Sequence, residues 1–426
     1  MRYVRVRTQP LSLRPMLPLS VVVPGGAHAA LRLKDMGKSI VLIEQEDILG
    51  GNIDSYTAPG SDKSMDFGVF SFIDYGGAAA LFQRLNVSTA PPARVRAPTK
   101  YVDFTTGAPI PGYTAPTREA YKVAMEKYLS ICENDFVKKH GIEDAVPQIY
   151  ATTGFGIGRQ ADELTLSVML TFGAQLARSL LGRQGGFIAA SHRNQDVYDA
   201  MAREIGSTSI MYETRVVRSI RTPDQGVLLT VKHLRTGTET TIQADKLIMA
   251  IRPVGEEAMS VFDLDPQEKD VFSKYEYLHG WATLVRHPSL TAGNTSVDNL
   301  PEAVAPSNYL ETPRVPYLDK FELQDNTAGG LLLRRREGAA AIILDRLIEN
   351  GILPPTSSEK EPLEVVAVSD HGPMHLHVAA EEHRNGFYQK LYALQGHRST
   401  WWTGAAFSVA FRLSFGSSTR LFCAKC

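Results

Sequence analysis

Between Leu19 and Glu44 the chain spells out strand, tight turn, helix, strand and acid, in that order. Val21-Val22-Val23 is a short β-branched run, and Pro24-Gly25-Gly26 turns the chain. Ala27 to Met36 has helical character, with Ala27, Ala30, Leu31 and Leu33 apolar and Arg32, Lys34 and Asp35 polar. Gly37 suits the left-handed residue that ends a helix. Ser39–Ile43 is a second buried strand that stops at Glu44. This order is how a dinucleotide is held, with the pyrophosphate on the helix N-terminus and the acid on ribose hydroxyls. The spacing from Gly26 to Glu44 suits the last glycine of such a fingerprint. A complete G-x-G-x-x-G is absent; only Gly25 and Gly26 remain, so the loop is about four residues short. The unit on its own is also compatible with an α/β fold that binds nothing.

A glycine pair, Gly50-Gly51, follows the acid. Beyond it come Ser55-Tyr56-Thr57-Ala58-Pro59 and Asp66-Phe67-Gly68-Val69. With these residues the chain resembles the flavin-containing amine oxidase superfamily, and within it a fungal subgroup that includes beta-cyclopiazonate dehydrogenase. The resemblance implies FAD running between Glu44 and Gly50-Gly51, with Asp66, Phe67 and Gly68 at the same site. Many amine oxidases carry Arg after the glycine pair. Asn52 stands there instead, so a charged phosphate contact is at most a neutral hydrogen bond.

Two later blocks extend the resemblance. Tyr212–Thr222, Gly226–His233 and Thr238–Ile242 read as three strands with polar turns, and residues 244–253 enter another buried strand. This is similar to the family's β-meander and its return to the dinucleotide, and it implies that Val216 and Val217 lie against the adenine. Trp401-Trp402-Thr403-Gly404-Ala405-Ala406 resembles the C-terminal flavin motif, which implies a cofactor contact at Gly404 and Ala405. After Phe407 the likeness stops: Ser408–Cys426 does not read as the expected helix and points to a misread exon, a frameshift or a decayed gene.

Length and composition bound the rest. A chain of 426 residues exceeds what one core usually holds. A formal net charge of -1 argues against a nucleic-acid surface, which needs a basic excess. No long uncharged apolar stretch exists, so no transmembrane helix is expected. Three cysteines make no disulfide framework, and Cys423-x-x-Cys426 reads as accidental. Residues 1–17 form a basic leader that imitates a secretory or mitochondrial segment; a cytoplasmic location is the favoured reading and the compartment stays open.

In the middle, Pro116–Lys139 and Asp162–Leu181 read as helices. Gly154-Phe-Gly156-Ile-Gly158 follows no buried strand and is read as a decoy nucleotide loop. His371, His375 and His377 cluster, with the last two on one face of a strand; a polar strand edge is preferred over a metal site. No hydrolase motif appears.

The fold expected is α/β: a Rossmann-like FAD-binding domain with a β-meander plus an inserted α+β substrate domain. The FAD-binding domain is discontinuous, from residues 18–75, 191–263 and 386–426. The substrate domain takes 76–190 and 264–385. The resemblance implies an FAD-dependent oxidoreductase that takes a hydride from a small-molecule, secondary-metabolite-like substrate. No residue is assigned as catalytic, no metal is expected, and the oligomeric state is left open. The rival reading is a non-catalytic or decayed relative with impaired FAD binding.

Overall fold

The computed structural model of the chain describes residues 19–22, 26–92, 97–130, 137–155, 163–223, 225–255, 259–313, 320–325, 330–333, 337–356 and 361–407. The expected first unit is present: Leu19–Val22 (β1), Ala27–Asp35 (α1) and Ser39–Ile43 (β2). Gly37 closes α1 with φ +71. Gly37 N donates to Lys34 O (2.9 Å) and Lys38 N to Leu33 O (3.0 Å), the paired bonds of a Schellman stop. The buried face of α1 is Ala27, Ala30, Leu31 and Leu33, the residues the periodicity selects.

A five-stranded sheet grows around this unit from remote segments. Its order is Ile210–Met211 (β10), β2, β1, Lys246–Met249 (β14) and Thr400–Trp402 (β20), with every neighbouring pair parallel. Both faces are covered, as parallel sheets require. On one face α1, Ala78–Arg84 (α2) and Gln195–Ile205 (α8) share a core with Ile40, Leu42, Phe82, Phe187 and Met201. On the other lies the meander Thr214–Thr222 (β11), Gly226–His233 (β12) and Glu239–Ala244 (β13). There Val216, Leu229 and Val231 pack on Ile43, Leu247 and Met249.

The substrate-domain segments build a seven-stranded mixed sheet. Its order is Glu364–His377 (β19), Glu276–Arg286 (β15), Gly330–Leu333 (β18), Lys320–Asp325 (β17), Ser296–Asn299 (β16), Thr99–Asp103 (β7) and Ala108–Pro109 (β8). Smaller pairings join Ser55–Thr57 (β3) to Ser64–Asp66 (β4), and Phe72–Ile73 (β5) and Thr89–Ala90 (β6) to Gly186–Ala189 (β9).

Two expected helices differ. Pro116–Lys139 becomes Arg118–Ser130 (α3) and Val137–His140 (α4), with 131–136 outside the described residues. Val146–Thr153 (α5) follows. The single helix expected over 162–181 is two, Thr165–Thr171 (α6) and Ala174–Leu180 (α7). Gly173 has extended backbone (ψ 169) and breaks them, while Phe172 is buried against α3 residue Met125 and α5 residue Ile149. Tertiary packing overrides the continuous apolar period. Among the described residues no helix is long and apolar enough to cross a membrane.

Candidate functional site

The carboxyl ends of β1, β2, β14 and β20 open on one crevice, where ligands of open α/β sheets bind. Gly26 is the N-cap of α1, with no side-chain capping bond and no acid in the first turn. The first N–H groups of α1 therefore point at the crevice unmet by a cap. Gly25 lies outside the described residues.

Glu44 ends β2 and is 5% exposed. Burial raises its carboxyl to about 7, against a smaller opposing effect of the Glu46 N–H, which donates to Oε1 at 3.2 Å. Its backbone is fixed by Glu44 N–Met211 O (2.9 Å) and Thr214 N–Glu44 O (2.8 Å). The second of these bonds sets the start of β11 beside the acid. Val216 is buried in β11, and Val217 is the bulged residue that the ladder to β12 skips between Val216 and Arg218. A bulge releases that residue's backbone groups from the ladder.

The glycine pair is fixed from α8. Gly50 (φ +147) and Gly51 (φ +62) need backbone that other residues rarely adopt. A Cβ on Gly50 would meet Gln195 Oε1 at 2.7 Å, and Gln195 Nε2 donates to Leu49 O. Asn194, fully buried, donates from its side chain to Val69 O and Phe70 O (both 3.0 Å) and accepts from Ala189 N at 2.9 Å.

Asp66 accepts from the Ser55 hydroxyl and from Asn194 N (2.9 Å), so it ties the β3–β4 hairpin to α8. Burial pushes its carboxyl up to about 7. Phe67 is buried against β15 residue Ala282. At Gly68 a Cβ would stand 2.2 Å from Asn52 O, and Val69 N donates to that oxygen at 3.0 Å. Asn52 and Gly68 therefore touch through backbone. Two residues on, Asp54 accepts from the Ser369 hydroxyl (2.5 Å) and lies 3.9 Å from His371 Nε2. Burial raises the Asp54 carboxyl, opposed by the Ser369 bond. Arg252, three residues past β14, donates to His371 O at 2.6 Å. Gly404 (φ +100) follows β20, and its Cβ would stand 3.0 Å from Ala250 O. Ala405 opens the short turn Ala405–Phe407 beside it.

His375 and His377 both pack edge-on to Phe155, with ring centres 5.4 and 5.5 Å away. Among the described residues no group of His, Cys, Asp or Glu has the arrangement of a metal site. Gly154 is the left-handed C-cap of α5 rather than part of a phosphate loop; 156–162 lie outside the described residues.

A cavity of about 510 Å³ lies over β7, β16 and β17, walled by Tyr101, Tyr113, Tyr121, Tyr150 and Tyr309. Tyr101 and Tyr113 meet edge-on at 5.0 Å, and Tyr309 donates to Thr114 O at 2.7 Å. Burial pushes the Tyr121 hydroxyl up to about 12, so it stays a neutral donor. Sequence reasoning singled out neither this cavity nor Asn194, Gln195, Asp54, Ser369 and Arg252. Asn before the amphipathic run 195–205 was the one local signal available for that group.

Residues 24–85 match the NAD(P)-binding Rossmann-like domain. Over its length the chain is 30% identical to beta-cyclopiazonate dehydrogenase of Aspergillus flavus, covering 90% of this chain and 86% of that protein. It is 28% identical to the FAD-dependent oxidoreductase pigF of Monascus ruber, covering 91% and 87%. Its fold is similar to the CLA-producing fatty acid isomerase from P. acnes, with TM-score 0.65 at 16% identity over 97% of this chain and 98% of that one. Cyclohexylamine oxidase from Brevibacterium oxydans aligns with TM-score 0.57 at 13% identity, over 96% and 98%.

Proposed function

We infer the reaction from one premise: the chain belongs to the family of fungal FAD-dependent oxidoreductases that includes beta-cyclopiazonate dehydrogenase. It is an FAD-dependent oxidoreductase. The observation that carries this reading is the pairing of an uncapped α1 N-terminus with a buried carboxyl at the end of the adjacent parallel strand. That pair fits the two ends of an adenosine diphosphate.

The N–H groups opening α1 take the pyrophosphate, with Gly25 and Gly26 keeping the turn clear of side chains. Glu44 accepts from the ribose hydroxyls. The backbone at Val216 and Val217 meets the adenine. Gly50, Gly51 and Asn52 line the crevice between the two strand ends. Asp66 acts through the hairpin it fixes, and Phe67 and Gly68 bring backbone to the cofactor. Gly404 and Ala405 close the far side, where a larger residue would run into Ala250. Bound FAD supplies the two-electron acceptor for a hydride leaving an activated C–H bond, beside a nitrogen or another activating group.

The tyrosine-walled cavity is the substrate chamber in this reading. It is within the size range of small-molecule sites. Helix α5 links it to the cofactor side: Tyr150 lines the cavity, and Phe155 packs on β19 at His375 and His377. A secondary metabolite is the substrate class that the likeness to beta-cyclopiazonate dehydrogenase supports. The division into a three-segment cofactor domain and an inserted substrate domain follows, with α2, β6 and β9 counted with the cofactor core they pack against.

The visible spectrum of the purified protein tests the reading. Oxidised-flavin absorbance is expected, with FAD released on denaturation. The cofactor-free chain should take up added FAD with quenching of flavin fluorescence. A colourless protein that binds no added FAD overturns it.

A further inference from the structure

We propose that Arg252 is a cofactor-positioning residue whose guanidinium binds the pyrophosphate of FAD from the β14 side of the crevice. The proposal rests on the flavin reading above and adds a residue to it.

The register supplies the position. In the parallel pair of β1 and β14, Val22 stands opposite Ile248. Continued by four residues, that pairing sets Arg252 level with Gly26, the N-cap of α1. Neighbouring strands are about 4.8 Å apart, so a long side chain at 252 reaches the space in front of the α1 N-terminus. Anions bind in that space.

The surroundings of Arg252 lack an anion. Its guanidinium makes one hydrogen bond, Nη1 to His371 O at 2.6 Å, which leaves most of its five donors for other use. Among the described residues no carboxylate pairs with it; Asp370 acts on it only at a distance. Burial lowers its pKa, the mark of a cation moved out of water without full compensation. Gly372 (φ +61) makes room for it, since a Cβ there would stand 3.4 Å from Nη1. A cation held partly buried, fixed by one neutral carbonyl, is costly unless an anion completes it.

The rest of the crevice needs a cation. Glu44 and Asp54 contribute carboxyls, and Asn52 is neutral. The α1 N-terminus offers about half a positive charge against the two charges of a pyrophosphate. Arg252 supplies a full one, in a forked geometry suited to phosphate oxygens.

The test titrates FAD, ADP and adenosine into cofactor-free wild type, Arg252→Gln and Arg252→Lys. Arg252→Gln should weaken FAD and ADP by about tenfold to a hundredfold and leave adenosine unchanged. Arg252→Lys, which keeps the charge and loses the fork, should fall between. Raising salt should weaken ADP binding to wild type more steeply than to Arg252→Gln. Adding Asn52→Arg to Arg252→Gln should recover much of the loss, because it restores a cation on the opposite wall. Thermal midpoints of the cofactor-free forms separate a folding defect, and Arg252→Lys keeps the test open if the Gln variant does not fold. Unchanged FAD and ADP affinity in both variants overturns the proposal while leaving the flavin reading intact. A raised substrate KM with unchanged ADP affinity would assign Arg252 to a substrate anion instead and also overturns it. A wild type that binds neither FAD nor ADP removes the flavin reading and the proposal together.

Discussion

At the scale of one residue, Glu44 connects burial to cofactor chemistry. Its carboxyl sits about 2.5 units above the ordinary 4.5 because it is buried at the strand end with only a weak backbone donor. Ribose hydroxyls donate most strongly to the ionised form. The cofactor-free protein therefore holds a proton on Glu44 below pH 7 that FAD binding must release. The linkage has one sign: affinity rises with pH through the free protein's pKa. Between pH 6 and pH 8 the ionised fraction changes about tenfold, so FAD should bind roughly tenfold tighter at pH 8. Glu44→Gln should flatten that profile and lower affinity at pH 8 by about tenfold or more, the value of charge-assisted hydrogen bonds. Titrations of both proteins at the two pH values decide it. A pH-independent wild type would take Glu44 away from the ribose. The same charge disfavours a 2′-phosphate beside the ribose.

At the scale of elements, loops position the crevice and strands frame it. Gly68 returns the chain so closely over Asn52 that even one methyl group cannot fit without moving backbone. Gly68→Ala should cost roughly 1–3 kcal/mol of stability and weaken FAD by loosening the 50–54 loop. Urea unfolding and FAD titration measure the two effects; an unchanged midpoint would mean the loop is looser than its contacts imply. The β1–α1 turn carries a second expectation. Lengthening Pro24-Gly25-Gly26 to a full G-x-G-x-x-G adds N–H groups facing the pyrophosphate. Each is worth about 1.5–3 kcal/mol, so one new bond should tighten FAD at least tenfold. Equal flavin occupancy of the two versions would sink the loop argument. These elements were legible because their signals are local. Apolar period, glycine stops and the acid after β2 lie within twenty-odd residues, and the three meander strands carry their own turns. The seven-stranded sheet was not legible, since β7 pairs in parallel with β16 almost two hundred residues later. Asn194 and Arg252 were missed for the same reason: their partners Val69 and His371 are remote in sequence. The tyrosines of the cavity come from segments scattered between 101 and 309, and no window contains them together.

At the scale of the whole molecule, a cofactor domain assembled from distant segments needs a device that holds them in register. Arg221 of β11 has a wholly buried side chain. It grips Glu268 with two bonds, 2.7 and 2.8 Å, and Asp263 with Nε at 2.9 Å. Glu268 lies in the helix Pro266–Phe272 (α9) and completes a capping box with Asp265. Arg398, just before β20, reaches Asp263 from the other side, and Ser399 donates to Thr222 O at 3.0 Å. The cluster thus clamps the C-terminal strand, and with it Gly404, to the meander that carries Val216 and Val217. Breaking a buried pair leaves one charge without compensation and costs about 3–5 kcal/mol, whereas replacing both partners with apolar residues is often nearly neutral. Arg221→Met should therefore destabilise the chain by that amount. The double variant Arg221→Met/Glu268→Met should recover part of the loss, with Asp263 still held by Arg398. The consequence for function is separable from stability. If the cluster positions β20, the double variant should fold and still bind FAD more weakly than wild type, because β20 then rests on the ladder to β14 and on hydrophobic packing alone. Urea unfolding of the cofactor-free forms gives the first comparison and FAD titration the second. A double variant as unstable as the single one would mean the Arg221–Glu268 pair is not the unit of stabilisation, and one with wild-type FAD affinity would mean that β20 and Gly404 are held in place without it.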